Sequence, residues 1–210
     1  MSIEKAYNNW AQQYDTNKNK TRDLDIQSTI NTLSNYTFKN VLELGCGTGK
    51  NTQWLLNKAE RIIGLDFSQE MLAFAQKKIN HAKVDFRKAD LTQNWDVDDQ
   101  FADLITSSLT LEHIEDLNHI FKQANQKLRA DGLFFISELH PFKQYLGSKA
   151  KYETENGVEE LEVFIHHISE YLDTAANNGF ELLELKEWFD ENSKNSIPRL
   201  ISLVFRKQQN

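Results

Sequence analysis

The side chains of this 210-residue chain that are placed to do chemistry are carboxylates and histidines around one glycine-rich turn. The turn is Gly45-Cys46-Gly47-Thr48-Gly49, directly after the apolar run Val41–Leu44. A strand that breaks into glycines and then a helix brings backbone N–H groups to one point, where a ligand can approach without meeting a Cβ. Three acids flank the turn. Glu43 lies two residues before the first glycine, Asp66 ends the run Arg61–Leu65, and Asp90 ends the run Val84–Ala89. Carboxylates at the ends of three successive parallel strands would surround one crevice. They would repel a pyrophosphate and suit a ligand with a positive charge, a ribose diol and an amino-bearing base. The glycine spacing agrees. A dinucleotide turn requires a small residue where this chain has Lys50, and the Gly-Lys-Ser/Thr of a phosphate-binding loop is absent.

Three histidines are candidate proton acceptors, since an imidazole titrates near neutrality. His113 follows the fourth apolar run in Leu109–His113. His140 follows Glu138, and strand alternation places both on one face at the crevice mouth. His166 enters the late helix, and the spacing of Glu138, His140, His166 and His167 is too open for a metal site, so none is expected. Arg199, after Pro198, lies in a loop able to reach the same crevice. Tyr145, Tyr152 and Phe164 are candidates to line an aromatic acceptor pocket. Cys46 has no basic sequence neighbour to activate its thiol and reads as a small residue inside the turn.

The elements that position these groups follow from periodicity. Ile3, Ala6, Tyr7, Trp10 and Tyr14 form one stripe of a helix over residues 2–16, a cap or an aromatic lid. A second helix is expected from the N-cap Asp23, with Ile26, Ile30 and Leu33 on one face. Strands are expected at 40–44, 61–65, 84–89, 101–106, 133–139, 180–187 and 200–206. Helices alternate with them: 48–59, one capped by Ser68, one through Ile114, Leu117, Phe121, Ala124 and Leu128 that closes at Asp131-Gly132, and one at 166–177. Strand–helix repetition means parallel strands joined by right-handed crossovers. The segment 141–160 breaks the rhythm and reads as an irregular binding loop.

The composition is that of a globular chain, 40% hydrophobic and 26% charged, and the formal charge of −7 disfavours a broad nucleic-acid surface. No apolar run approaches a membrane span, and a lone cysteine fits a reducing compartment, so a cytoplasmic protein without membrane insertion is expected, as a monomer or homodimer.

Val41-Leu-Glu-Leu-Gly-Cys-Gly-Thr-Gly49, with Asp66-Phe67-Ser68 and Ala89-Asp90-Leu91, resembles the class I S-adenosylmethionine-dependent methyltransferases, nearest the small-molecule branch of the ubiquinone- and biotin-biosynthesis types. Asn9–Asp15 resembles that branch's N-terminal helix. The resemblance implies an α/β, doubly wound, Rossmann-like sheet of seven strands, mostly parallel with the last antiparallel, and helices on both faces. It implies one domain: a helical cap at 1–35, a cofactor core at 36–139, a substrate-side insertion at 140–165 and a C-terminal part at 166–210. It implies S-adenosyl-L-methionine as cofactor. Gly45, Cys46, Gly47 and Ser107 would approach its methionine part and Glu43 its amino group. Asp66 would take the ribose hydroxyls, Phe67 and Met71 would flank the adenine beside Asp90 and Leu91, and Tyr14 would cover it. The expected reaction is in-line methyl transfer to a small-molecule acceptor. Protein or nucleic-acid methylation, or binding without turnover, are the alternatives. No Asn/Asp-Pro-Pro-Tyr motif for base amines follows the fourth strand.

Overall fold

The computed structural model describes residues 3–149, 151–154, 157–190 and 196–209, and the side chains of 151–154 and 157–159, Tyr152 included, lie outside the description. Seven strands form one sheet: β1 (Asn40–Leu44), β2 (Arg61–Asp66), β3 (Val84–Lys88), β4 (Ala102–Ser108), β5 (Leu128–Leu139), β8 (Phe180–Trp188) and β9 (Leu200–Lys207). Their order is β3-β2-β1-β4-β5-β9-β8. The pairs from β3 to β5 are parallel, and β9 is antiparallel to both β5 and β8. The chain winds outward in one direction from β1 through β2 to β3, then in the other from β4 onward. The order therefore reverses between β1 and β4, and the crevice beyond their carboxyl ends is where an open α/β sheet binds ligands.

The sheet is buried on both faces, which is why its central strands read as near-continuous apolar runs. Leu42, Leu44, Ile63, Ile105, Phe134 and Leu203 belong to one core with α5 (Leu117–Lys127) and α7 (Ile168–Asn177). The alternate residues Val41, Ile62, Leu104, Phe135 and Val204 belong to a second core with Leu33 of α2 (Lys20–Leu33) and Leu55 of α3 (Lys50–Leu55). Side chains of this size contribute about 1.5–3 kcal/mol each on full burial. The two cores hold the strand ends, and with them the acids, in fixed register.

Several boundaries differ from the sequence expectation. α2 starts at Lys20 because Asn19, not Asp23, is its N-cap; the Asn19 side chain accepts the N–H groups of Thr21 and Arg22. α3 is shorter than expected and ends at Leu55. α5 stops at Lys127, where Leu128 joins the strand. Asp131-Gly132 is not a helix stop. It lies within β5 where the register with β4 slips, and Asp131 has φ +60°. The segment after β5 has structure of its own: α6 (Pro141–Tyr145) and a hairpin of β6 (Lys151–Thr154) with β7 (Gly157–Glu160). Among the described residues no helix is long and apolar enough to cross a membrane.

Candidate active site

The crevice starts at Gly45 and Gly47, with φ of +66° and +53°. A Cβ on Gly45 would overlap the Thr110 side chain, which arrives from the loop after β4. The Gly47 N–H donates to Asp66 Oδ2 at 2.8 Å, and the Ser68 N–H donates to Oδ1 at 2.8 Å. Asp66 is thus clamped between the first and second strand ends, with lone pairs left on both oxygens. Burial pushes its carboxyl up to about 6, against those two N–H groups. Glu43 accepts from Thr52 Oγ1 at 2.5 Å, and burial pushes it up to about 8. Uncompensated burial disfavours a carboxylate's charge, so both groups would gain from a cation placed beside them.

Two cavities open from this point. The larger, of about 440 Å³, is lined by Gly45, Gly47 and Asp66, by Phe67, Met71 and Leu91, and by exposed Asp90 at its edge. Asp90 Oδ1 caps its own turn, accepting from the Thr92 N–H at 2.9 Å and from its Oγ1 at 2.7 Å. A narrower recess joins at Gly45 and Gly47 and is lined by Glu43, Cys46, Asp25 and Arg22. The second cavity, of about 250 Å³, lies toward α1 (Ile3–Tyr14) and α2. Tyr7, Tyr14 and Leu109 line both cavities and form the wall between them.

α1 covers the crevice. Its contacts are long-range: Tyr7 Oη to His113 Nε2 at 2.8 Å, Ser68 Oγ to Asn8 Oδ1 at 2.7 Å, Thr48 Oγ1 to Asp15 Oδ1 at 2.7 Å and Lys88 Nζ to Glu4 Oε1 at 2.8 Å. Tyr7 also packs edge-on to Phe67. Below the wall, Glu138 Oε1 accepts the N–H groups of Thr110 and Leu111, both at 2.9 Å, which fixes the loop after β4. Burial raises Glu138 to about 8.

The three histidines separate. His113 lines the larger cavity; its Nδ1 faces the Glu162 carbonyl at 3.3 Å, so Nδ1 carries the proton and Nε2 accepts from Tyr7. Burial lowers its pKa and keeps it neutral near pH 7. His140 is fully buried and faces away from both cavities. Its Nδ1 accepts the Phe142 N–H as the N-cap of α6, and its Nε2 meets Glu187 at 3.1 Å. His166 is held by the Ile114 carbonyl at 2.8 Å and by Glu170 at 3.1 Å. The expectation that strand alternation brings His140 to the crevice mouth fails because the chain turns into α6 at that residue. Glu138, on the preceding turn of the same strand, is the one that stays under the crevice.

The remaining candidates lie as follows. Ser107 is fully buried on the inner side of β4, and Ser108 lines the cavities in its place. Tyr145 is exposed and bonds His167 at 2.6 Å, and Phe164 holds Glu112 through its backbone, so neither lines a cavity described here. Arg199 pairs with Asp190 and donates to Thr21 Oγ1 at 3.0 Å, which braces the start of α2. The Cys46 thiol packs against Gly64, and burial pushes it well above its usual range. Asp25, Arg22, Thr110 and Glu112 line the crevice without a local sequence signal; α2 and the loop after β4 carry them there.

Residues 42–136 match the methyltransferase domain family. The chain carries a class I S-adenosylmethionine-dependent methyltransferase domain. It is similar to a malonyl-[acyl-carrier protein] O-methyltransferase of Priestia megaterium, 31% identical over 64% of this chain and 50% of that protein. It is similar to a ubiquinone biosynthesis O-methyltransferase of Pelagibacter ubique, 26% identical over 80% of this chain and 71% of that one. The methyltransferase thus spans half the length of the first relative. Its fold is that of an S-adenosylmethionine-dependent methyltransferase of Clostridium acetobutylicum, with a TM-score of 0.72, 20% identity and coverage of 97% and 100% of the two chains.

Proposed function

We propose that this methyltransferase moves a methyl group from S-adenosylmethionine to a small-molecule acceptor held under α1. The observation that carries the reading is a pair of adjacent cavities, one lined by Asp66 and Asp90 with Glu43 in the recess beside it, the other under α1 and α2, with Tyr7, Tyr14 and Leu109 as the wall they share. Asp66 is the residue for the ribose hydroxyls, since its clamped oxygens keep lone pairs to accept them. Glu43 serves the amino group, with Gly45, Cys46 and Gly47 lending an open backbone beside it. Phe67, Met71 and Leu91 form the apolar slot for the adenine, with Asp90 at its amino edge and Tyr14 as cover. Bound there, the donor supplies a methyl carbon on a positively charged sulfur, open to in-line displacement.

The protein's own work is alignment, exclusion of water and removal of a proton. Alignment contributes roughly 7–11 kcal/mol in favourable cases. The α1 contacts close the crevice over the reacting groups. Tyr7, its hydroxyl donating to neutral His113, offers an oxygen that accepts a hydrogen bond from the acceptor and positions it. A general base placed at the acceptor supplies about 10²–10⁴-fold. The names of the two O-methyltransferase relatives support a small acceptor, and the net charge of −7 argues against nucleic acid. Calorimetric titration with S-adenosylmethionine, S-adenosylhomocysteine and NAD tests the donor. Binding of both adenosyl compounds and not NAD is expected; binding of NAD alone would overturn the assignment.

A further inference from the structure

The second cavity is walled by Tyr7, Trp10 and Tyr14, with Leu109 and Leu139 on the side of the sheet. Among the described residues, one carboxylate faces it. Glu112 is 8% exposed, Gln144 Nε2 reaches its Oε2 at 3.3 Å, and Oε1 has no hydrogen bond among the described residues. Glu112 is held at this place from both sides. The turn Leu111–His113 carries it, and its carbonyl accepts the Phe164 N–H at 2.7 Å.

The two cations at this cavity are engaged elsewhere. Arg22 donates to the Tyr14 carbonyl and, at 3.0 Å, to the Asn17 carbonyl, and its guanidinium lies 4.1 Å from the Tyr14 ring centre. Lys149 sits on the exposed rim with Glu160 at 3.4 Å. Behind the walls lie Asp25, Glu43, Asp66 and Glu138, all buried carboxyl groups. A cationic acceptor favours ionisation of these groups and is drawn in, while an anionic one opposes it. Aromatic faces around a carboxylate are a suitable receptacle for an ammonium group.

We infer that the acceptor is an amine, bound through its ammonium group to Glu112 between Tyr7, Trp10 and Tyr14, and methylated on nitrogen. This rests on the methyl-donor reading above and deepens it. The ammonium hands one proton to the Glu112 carboxylate, which frees the nitrogen lone pair. That pair forms the new N–C bond while the C–S bond breaks and its electrons remain on sulfur. The products are a methylammonium and a neutral thioether, and the proton on Glu112 passes to water. Burial raises Glu112 to about 7, which suits it to both accept and release that proton.

The test uses the full chain saturated with S-adenosylhomocysteine, whose binding is measured first; absence of that binding would count against the donor reading and not against the acceptor class. Three probes of similar size are then titrated by calorimetry: phenethylamine, phenethyl alcohol and 3-phenylpropionate. Phenethylamine is expected to bind at least tenfold tighter than the other two, and Glu112→Gln to weaken it at least tenfold with S-adenosylhomocysteine affinity kept. With S-adenosylmethionine, N-methylphenethylamine is the expected product by mass spectrometry. Tighter binding or methylation of the carboxylate or alcohol would overturn the inference. So would no amine binding at millimolar concentration, or an amine affinity indifferent to Glu112→Gln. Should Glu112→Gln fail to fold, Trp10→Ala is the second variant, with the same amine-selective loss expected.

Discussion

The two cavities of this methyltransferase are built differently. The donor cavity is assembled from short-range segments. Gly45, Asp66 and Asp90 each stand where a strand or its following turn ends, and adjacent strands bring them together. The acceptor cavity is assembled from distant ones. Trp10 and Tyr14 of α1 share its walls with Glu112 and Leu139, and Arg199 reaches the lining residue Thr21 across 178 residues. The donor site is thus a consequence of sheet topology and survives changes in the surrounding loops. The acceptor site exists only while α1, α2 and the segment after β5 are docked.

The largest effect is expected at the clamped acid on the donor side. Asp66→Ala removes an acceptor for two charged hydrogen bonds worth about 1.5–3 kcal/mol each. S-adenosylhomocysteine affinity should fall at least 100-fold in a calorimetric titration, and unchanged affinity would remove Asp66 from the donor site. Next in size is the docking contact. Tyr7→Phe and His113→Ala should each lower kcat by about 10–100-fold by misplacing the acceptor, with S-adenosylhomocysteine affinity falling less than kcat. Full kcat in both would make Tyr7–His113 packing alone.

His140→Ala sharpens the contrast from the other direction. His140 caps α6 and touches neither cavity, so the variant should lose about 1 kcal/mol of stability, as N-cap deletions do, while kcat per folded molecule stays within twofold. A kcat loss at unchanged stability would return His140 to the reaction.

The smallest effect is on stability against pH without ligand. Asp25 and Asp66 are raised to about 6, Glu112 to about 7, and Glu43 and Glu138 to about 8. Unfolded carboxyl groups titrate near about 4. Between those values the folded state binds more protons than the unfolded one, so stability falls as pH rises. The thermal midpoint of the ligand-free protein should therefore drop from pH 6 to pH 8.5. A midpoint that rises over that range contradicts the burial of these groups.

The same division explains what the sequence made legible. Glycine spacing, apolar runs and the acids at their ends are local signals, and they located β1, β2, the cap Ser68 and residues that line the larger cavity. Asp25 carried no such signal; it is a polar residue in a helix, and only docking of α2 on the sheet places it beside Asn51 at 3.1 Å. Glu112 and His140 show the limit from both sides. Alternation along β5 could not reveal that the chain turns into α6 at His140. Nor could helical periodicity show that a tight turn after β4 would aim Glu112 at the second cavity.

The central claim is that buried acids make the donor cavity a receptacle for positive charge. Its most direct test is the affinity for S-adenosylmethionine and S-adenosylhomocysteine from pH 6 to 8.5. The two share the amino-acid and adenosine groups and differ in the charge on sulfur. A steeper rise with pH is expected for S-adenosylmethionine, as its sulfonium expels protons from Glu43 and Asp66, with a smaller difference in Asp66→Asn. Parallel pH profiles in the unsubstituted protein would contradict it.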